Sequence, residues 1–440
     1  MGREDGVSAL LSMPLTLPCG AVLPNRLAKG AMTEGLATAD GRPTAELETL
    51  YTRWSLGGAG MHLTGNVQID RDHLERPGNV IIDREPDVAM RAALASWATA
   101  GTQGGNHLWM QISHAGRQTM ASVNPHPKAP SAVKLGMPGG QFGAPVALTD
   151  PEILDLINRF AVAAGAAQAA GFTGVQIHAA HGYLLSQFLN PRANLRTDDW
   201  GGSLENRARF LMEAIKAVRA AVGAAFPISV KLNAADFLRG GFDFGDSLMV
   251  ARWLQAAGLD LLEISGGSYE QPAMMDMAGL EPRAEQEVAA STVEREAYFV
   301  DFAVAMKAEI AMPIMVTGGF RSRKAMDHAL STGAADLIGL GRPLCVDTSG
   351  PSRLLGGADV LDRAEDRLAL FPSWLGWLRS FKMGKAVDGF AVQFWYYAQL
   401  YAIGRTGRTD PGMSVFAAWR EVERTHKTLL GARTISGAPR

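Results

Sequence analysis

The chain has 440 residues, 47% of them hydrophobic and 20% charged, and this length suffices for one large core or for two domains. The 42 basic and 44 acidic residues nearly balance and no basic run stands out, so no nucleic-acid partner is expected. No apolar run approaches the roughly 20 residues of a membrane-spanning helix, the charged N-terminus is unlike a secretory signal, and the two distant cysteines, Cys19 and Cys345, fit a reducing cytoplasm.

Apolar, β-rich segments alternate with helical patterns through most of the chain. Eight segments are predicted as strands: Arg26–Met32, Gly60–Val67, His107–Ser113, Gly174–His178, Pro227–Asn233, Leu261–Ser265, Pro313–Gly318 and Asp336–Gly341. Five intervening segments are predicted as helices: Pro151–Ala170, Leu204–Val222, Asp246–Ala257, Val293–Ile310 and Ser322–Ser331. Eight strand–helix units predict an α/β fold, a closed parallel (β/α)8 TIM barrel. An open doubly wound sheet is disfavoured because no Gly-x-Gly-x-x-Gly turn follows the first strand.

Two long segments between strands are expected to lie over the C-terminal face of the barrel, where such folds build their sites. Residues 118–148 are rich in Pro, Gly and Ser, and residues 266–291 contain the methionines Met274, Met275 and Met277. We interpret the methionine cluster as loop packing rather than as a specific binding surface.

The alternation stops after Pro343, and three later segments are predicted as helices: 357–370, 385–405 and 412–430. We therefore expect a catalytic barrel over residues 1–343 and a C-terminal helical extension over residues 344–440. The aromatic-rich middle helix predicts packing on the barrel or on a second subunit of a homo-oligomer. Its polar face lacks a Lys/Arg excess, so binding to a membrane is not expected.

The segment His178-Ala-Ala-His181-Gly-Tyr183 carries the most chemistry, because it follows a β-rich run at the expected mouth of the barrel. Two neutral imidazoles can donate hydrogen bonds to one polarised oxygen, and a nearby phenol can give a proton. The same pattern also fits structural histidines or half of a metal site. A metal would need a third ligand and no cysteine lies nearby, so no metal is expected.

Other strand ends indicate a phosphate site and a polar edge. The seventh and eighth strands lead into Gly318-Gly319 and Gly341-Arg342, where backbone N–H groups, a helix N-terminus and a guanidinium can hold a phosphate. Lys231 is a cation within an apolar strand and needs an anion or strong acceptors, and Gln111 offers both a hydrogen-bond donor and an acceptor. The simpler interpretations are an internal salt bridge for Lys231 and an interior hydrogen bond for Gln111.

In combination, several motifs resemble the Old Yellow Enzyme family of FMN-dependent ene-reductases. The resemblance runs from about Leu15 to about Pro343. Five motifs carry it: Asn25-Arg-Leu27, Gln111-Ile-Ser-His114-Ala-Gly-Arg117, His178-Ala-Ala-His181-Gly-Tyr183, the run from Asn190-Pro-Arg192 to Glu205-Asn206-Arg207, and Gly339-Leu-Gly341-Arg342-Pro343.

The resemblance implies FMN bound without a covalent link across the barrel mouth, with NADH or NADPH as reductant. It assigns the isoalloxazine to five residues: Gly30, Ala31, Met32, Thr33 and Gly65. It assigns the pyrimidine edge to Gln111 and Lys231. It assigns the phosphate to four residues: Gly318, Gly319, Gly341 and Arg342.

The resemblance also implies the reaction. His178 and His181 would bind the carbonyl or nitro oxygen of an activated alkene, hydride would reach the β-carbon, and Tyr183 would protonate the α-carbon. A flavin dehydrogenase or demethylase of the same fold, running oxidatively, is one alternative. A non-catalytic flavin-binding interaction module is another.

Three positions depart from the family pattern. Thr33 stands where one branch has a cysteine that tunes the flavin, and Gly35 stands where that branch has a tyrosine near the substrate. Ala31 replaces a frequent proline. The Thr33 hydroxyl can still donate a hydrogen bond to the flavin, but it cannot supply thiol chemistry.

Overall fold

The computed structural model describes residues 9–137, 140–266 and 299–435. Its strands are β1 (Leu15–Thr16), β2 (Val22–Leu23), β3 (Leu27–Lys29), β4 (Met61–Leu63), β5 (Val67–Gln68), β6 (His107–Ser113), β7 (Lys128–Ala129), β8 (Val146–Ala147), β9 (Gly174–Ala179), β10 (Ile228–Asn233), β11 (Leu261–Ser265), β12 (Ile314–Thr317) and β13 (Leu337–Leu340). Nine of them form one parallel sheet in the order β4-β3-β13-β12-β11-β10-β9-β6-β5. Because β4 also pairs with β6, the sheet closes, and the predicted TIM barrel is confirmed.

All eight predicted barrel strands are present, and His107–Ser113 and Leu261–Ser265 match at both ends. The predicted strand Gly60–Val67 is instead two short strands, β4 and β5. The chain leaves the ladder between them because the Gly65 N–H donates to Glu34 Oε1 at 2.8 Å rather than to a neighbouring strand.

The helices are α1 (Ala9–Ser12), α2 (Ala45–Ser55), α3 (Val88–Gly101), α4 (Asp150–Ala170), α5 (Leu184–Leu189), α6 (Leu204–Val222), α7 (Phe244–Ala256), α8 (Val300–Lys307), α9 (Arg323–Ser331), α10 (Pro343–Val346), α11 (Gly350–Leu355), α12 (Lys382–Thr406) and α13 (Val415–Ile435). Local signals set their ends. Ser203 caps α6 by accepting the Asn206 N–H, and Gly171 ends α4 in the left-handed conformation at φ 96°.

Much of the predicted loop over residues 266–291, with its methionines, lies outside the described residues. The same holds for the first part of the helix predicted over Val293–Ile310, whose described part is α8. Within the described residues, no helix combines the length and apolarity needed to span a bilayer.

The helix predicted over residues 357–370 is wrong. This stretch contains one 3-10 turn, Ala364–Asp366, and the preceding helix α11 ends at Leu355. The cause is a tertiary contact that takes the backbone groups a helix would need. Arg323 N donates to Asp359 O and Leu361 N donates to Arg321 O, each at 2.8 Å, so this stretch pairs with the loop that follows β12.

The two long C-terminal helices, α12 and α13, lie against the barrel. Arg76 packs its guanidinium 3.8 Å from the ring centre of Tyr397 in α12 and donates to its hydroxyl at 2.7 Å. Tyr396 of α12 donates to Glu365 Oε2 at 2.8 Å, and Glu365 accepts from Arg321 at 2.7 Å. The extension is therefore tied to loops at the C-terminal face of the barrel.

Candidate active site

The end of β9 and the turn after it carry the three residues predicted to be catalytic. The ring centre of His178 lies 5.1 Å from that of His181 and 4.9 Å from that of Tyr183, and both pairs are edge-to-face. His178 and Tyr183 are buried and His181 is half-buried. The structure thus brings two imidazoles and a phenol into one cluster at the barrel mouth.

Both imidazoles of this cluster are neutral. Burial, followed by the nearby Lys231 cation, holds the pKa of His178 well below its ordinary value. Burial, Lys231 and then His178 do the same for the pKa of His181. His178 Nδ1 accepts the Ala180 N–H at 3.2 Å, so the proton of the neutral His178 ring is on Nε2. His178 therefore has a donor available.

Residues at the ends of β10 and β11 hold the turn that carries His181. The backbone of His181 is left-handed, with φ 62°, which is unusual for a residue with a side chain. Its N–H donates to Asn233 Oδ1 at 3.1 Å, and Asn233 Nδ2 donates to Asp236 Oδ1 at 2.7 Å. The Nε2 atom of the His181 ring lies 2.6 Å from Ser265 Oγ. The strained turn is thus fixed at both backbone and ring.

Lys231 is part of a buried polar chain inside the barrel. Its Nζ donates to Glu263 Oε1 at 2.8 Å, and Gln176 Nε2 donates to Glu263 Oε2 at 2.8 Å. Gln111 Nε2 in turn donates to Gln176 Oε1 at 2.8 Å. The internal salt bridge considered for Lys231 and the interior hydrogen bond considered for Gln111 are both present. An ammonium has three donors, and this pairing uses one of them.

The segment after β3 lies beside the ends of β4 and β13. Gly30 N donates to Leu340 O at 2.8 Å, and half-buried Ala31 and Met32 follow. Thr33 Oγ1 donates to Asn66 Oδ1 at 3.1 Å. A Cβ on Gly65 would lie 2.1 Å from a Glu34 oxygen, so only glycine fits there. The predicted isoalloxazine-lining residues therefore come from adjoining strand ends.

The residues predicted to bind the phosphate lie at the ends of β12 and β13. Gly318 and Gly319 have φ 151° and 73°, which favours glycine at both positions. A Cβ on Gly341 would meet nothing closer than Met32 Sδ at 3.9 Å, so the space beside it is open. Arg342 directly precedes α10 and is half-buried. These residues form a backbone-rich cradle with a cation.

FMN fits this set of residues. Thr317 Oγ1 is buried without a hydrogen-bond partner among the described residues, and it lies directly before the Gly318-Gly319 cradle, where a phosphate or ribityl oxygen would satisfy it. Lys231 and Gln111 have donors left for a ring edge. The chain would hold FMN through the strand-end residues named above.

A different cluster, outside the His178 site, has the composition of a metal site. Asp70, His73 and His114 place their ligand atoms within 4.8 Å of one another. His73 Nε2 accepts the Lys128 N–H at 2.8 Å and His114 Nδ1 accepts the Gly116 N–H at 3.0 Å. The nitrogens facing Asp70 therefore carry protons and cannot offer a lone pair to a metal. The cluster is a pair of imidazoles facing one carboxylate, with His73 Nδ1 at 3.2 Å and His114 Nε2 at 3.8 Å from Asp70 Oδ2.

Buried neutral histidines predict a loss of stability in mild acid. Burial lowers the pKa of His62 to about 3 and that of His114 to about 4, while unfolded histidine titrates at about 6.5. Between these pH values the unfolded chain binds more protons than the folded chain. The free energy of unfolding should therefore decrease by about 1.4 kcal/mol for each such histidine when the pH is lowered by one unit. Chemical denaturation at pH values from about 7 to about 5 measures the slope.

The matched control for this slope is His62→Gln, which removes one of the titrating groups. Its free energy of unfolding should depend on pH less steeply than that of the unchanged protein, by about one proton. Equal stability at both ends of the range would contradict the prediction.

Three polar residues of the site were not predicted from the sequence: Asn233, Glu263 and Ser265. The last two belong to the sixth barrel strand, from which no candidate was chosen. The usable signal is that Asn233 and Ser265 are polar residues at the final positions of buried strands, which in a barrel lie at the site. Glu263 shows a further signal, a carboxylate in an apolar run, which needs a cation.

Comparison with known proteins shows the family to which the chain belongs. Residues 11–358 match the NADH:flavin oxidoreductase / NADH oxidase family. The chain is 37% identical to the NADH-dependent flavin oxidoreductase iliE of Hypocrea jecorina over 80% of this chain and 90% of that protein.

Two solved structures share the fold. One is the Old Yellow Enzyme homologue of Zymomonas mobilis, at a TM-score of 0.66 and 25% identity over 81% of this chain and 95% of that one. The other is morphinone reductase, at a TM-score of 0.64 and 25% identity over 80% of this chain and 91% of that one. The chain therefore belongs to the NADH:flavin oxidoreductase / NADH oxidase family, the family of Old Yellow Enzyme, and is an FMN oxidoreductase with a nicotinamide reductant.

Proposed function

We propose that this protein reduces the C=C bond of α,β-unsaturated carbonyl or nitro compounds with NADH or NADPH. The observation that carries the proposal is the cluster of two neutral imidazoles and one buried phenol at the end of β9. The similarity to morphinone reductase, whose name denotes a reduction, supports the reductive direction. When bound, FMN supplies the hydride chemistry between nicotinamide and alkene.

His178 and His181 bind the substrate's carbonyl or nitro oxygen in this proposal. Addition of hydride to the β-carbon moves negative charge onto that oxygen, so N–H donors beside it stabilise the transition state more than the ground state. Since burial and Lys231 keep both rings neutral, their donors do not change as the solution is titrated through the ordinary histidine range.

Tyr183 donates the proton to the α-carbon in this proposal. Its ring lies edge-to-face against His178, which binds the oxygen two bonds from that carbon. A phenol, with an ordinary pKa of about 10, keeps its proton at neutral pH and can still protonate a carbon-centred base far stronger than itself.

The remaining predicted site residues position the cofactor in this proposal. Lys231, held by Glu263, and Gln111 bind the pyrimidine edge. The residues after β3 and β4 line the ring: Gly30, Ala31, Met32, Thr33 and Gly65. The residues after β12 and β13 bind the phosphate: Gly318, Gly319, Gly341 and Arg342. The proposal assigns the catalytic domain to residues 1–343 and the C-terminal extension to residues 344–440.

The proposal is tested with the FMN-loaded protein under anaerobic conditions. NADH or NADPH should bleach the flavin absorbance, and addition of an enone such as cyclohexenone or of a nitroalkene should restore it with formation of the saturated product. The two half-reactions are followed separately by stopped-flow absorbance.

Two outcomes contradict the proposal. Flavin that is reduced by the nicotinamide but is not reoxidised by any activated alkene, while an amine or cyclic ketone reduces the oxidised protein, would indicate an oxidative enzyme. Protein that stays colourless after addition of FMN would remove every flavin-based function.

A further inference from the structure

We propose that Ser265 is a positioning residue that places the proton of the neutral His181 ring on Nδ1. This inference rests on the proposed function, because it concerns how His181 comes to act as a hydrogen-bond donor. It starts from one contact: Ser265 Oγ lies 2.6 Å from His181 Nε2, at the mouth of the barrel.

Two arrangements of protons are compatible with this contact. Either the serine hydroxyl donates to a lone pair on Nε2, or an Nε2–H donates to the hydroxyl oxygen. In the second arrangement the hydroxyl proton needs another acceptor. Ser265 is buried, and within the described part of the chain its hydroxyl has no hydrogen bond other than the one to His181. The first arrangement gives the proton of the buried hydroxyl an acceptor, and buried polar hydrogens are rarely left without one.

Proton placement decides what the ring presents to a substrate. With the hydroxyl donating to Nε2, the proton of His181 is on Nδ1, and Nδ1 becomes a donor. His178 has its proton on Nε2, because its Nδ1 accepts the Ala180 N–H. Each ring then has one N–H free for the same oxygen. In the opposite arrangement His181 would turn a lone pair toward an oxygen that gains negative charge, which would destabilise the transition state.

Rigid elements hold the serine and the histidine in this relation. Ser265 is the last residue of β11 and pairs in register with Asn233 of β10. The Ser265 carbonyl accepts the Ala234 N–H at 2.6 Å. Asn233 in turn accepts the His181 N–H at 3.1 Å. Two neighbouring strands therefore fix the hydroxyl and the imidazole together, which is the support that a site of defined geometry needs.

The direct test is nitrogen NMR of the FMN-loaded protein with ¹⁵N-labelled histidine. Protonated and unprotonated ring nitrogens have well separated shifts, and His181→Asn identifies the His181 signals by their loss. We expect the proton on Nδ1 in the unchanged protein. In Ser265→Ala the ring should move toward the Nε2–H form that free imidazole side chains favour in water. In Ser265→Thr, which keeps the hydroxyl, the proton should stay on Nδ1.

Phenol binding gives the second readout, because a phenolate mimics the negative oxygen of the intermediate. Ser265→Ala should weaken the affinity of a phenol such as 4-hydroxybenzaldehyde by roughly tenfold, the loss expected for one hydrogen bond to a charged group. Ser265→Thr should restore most of it. The matched control is Ser229→Ala, which removes a buried strand hydroxyl bonded to Val175 O, and it should leave phenol affinity unchanged.

The outcomes separate this inference from the proposed function. A proton on Nε2 of His181 in the unchanged protein, or the same Nδ1–H signal in Ser265→Ala, would overturn the role of Ser265 while phenol binding stays intact. Failure of the unchanged protein to bind phenols at all would instead count against the proposed function. If Ser265→Ala binds FMN poorly, Ser265→Cys, which is nearly isosteric and a weaker donor, takes its place in both measurements.

Discussion

Replacement of Tyr183 by phenylalanine is expected to slow alkene reduction by about 10²-fold to 10⁴-fold, the contribution typical of a positioned general acid. Tyr183 is buried and its ring contacts His178 edge-to-face, so phenylalanine keeps the packing and removes only the hydroxyl. Reduction of the flavin by NADH or NADPH requires no proton donor at this position, and its rate should change little. Stopped-flow measurement of the two half-reactions distinguishes these effects.

The matched control is Tyr401→Phe. Tyr401 is a buried tyrosine of α12 whose hydroxyl has no hydrogen-bond partner among the described residues, so losing it should affect neither half-reaction. A solvent isotope effect on alkene reduction should be present in the unchanged protein, because the proton comes from an exchangeable hydroxyl. Equal slowing of both half-reactions in Tyr183→Phe would mean that Tyr183 supports the flavin site in general rather than donating the proton.

The barrel was predictable because its strands are buried on both faces. Runs such as Ile228–Asn233, where every residue is buried, contrast clearly with the amphipathic helices between them. Helix ends could also be predicted where a capping residue is present, as at Ser203 and Gly171. These signals are local, so no knowledge of distant contacts was required.

The C-terminal extension shows where such reasoning stops. The helix predicted over residues 357–370 does not form, because the Asp359 carbonyl accepts from the loop after β12 and the Leu361 N–H donates to that loop. No local sequence pattern predicts that contact, because the loop after β12 lies about 40 residues earlier in the chain. Gly35 is a similar case: Tyr401 of α12 places its hydroxyl 3.1 Å from where a Cβ on Gly35 would be.

For the candidate site, the sequence predicted the residues with chemical roles but not the residues that hold them in place. His178, His181 and Tyr183 were predicted because their segment follows a β-rich run at the expected mouth of the barrel. Lys231 was predicted because a charge within an apolar strand is costly without a partner. Their partners were not found, because pairing depends on strand order and register. Glu263 meets Lys231 since β10 and β11 are neighbours with these residues in register.

Replacement of both His178 and His181 by alanine is expected to produce the second large effect. Each donor to a developing oxyanion contributes about 10²-fold to 10³-fold to the rate in comparable sites, so the double variant should show almost no alkene reduction. The affinity for phenols should fall as well, together with loss of the charge-transfer absorbance between phenolate and oxidised flavin. Both are measured by titrating the FMN-loaded variant with a phenol and then with an enone.

The pH dependence of phenol binding adds a sharper criterion. Because the pKa values of His178 and His181 lie well below the ordinary value of about 6.5, phenol affinity in the unchanged protein should follow the ionisation of the phenol alone. An inflection near pH 6.5 that disappears in the double variant would mean that the imidazoles titrate there and bind the oxygen as cations.

The matched control for the double variant is His107→Ala. His107 begins β6 at the opposite end of the barrel and contacts Val22 O at 3.1 Å, so its loss should leave phenol affinity unaltered. His181→Asn keeps an amide donor near the oxygen and should retain more activity than His181→Ala. Unchanged phenol affinity in the double variant would refute the binding of the substrate oxygen by these two residues, whatever the effect on turnover.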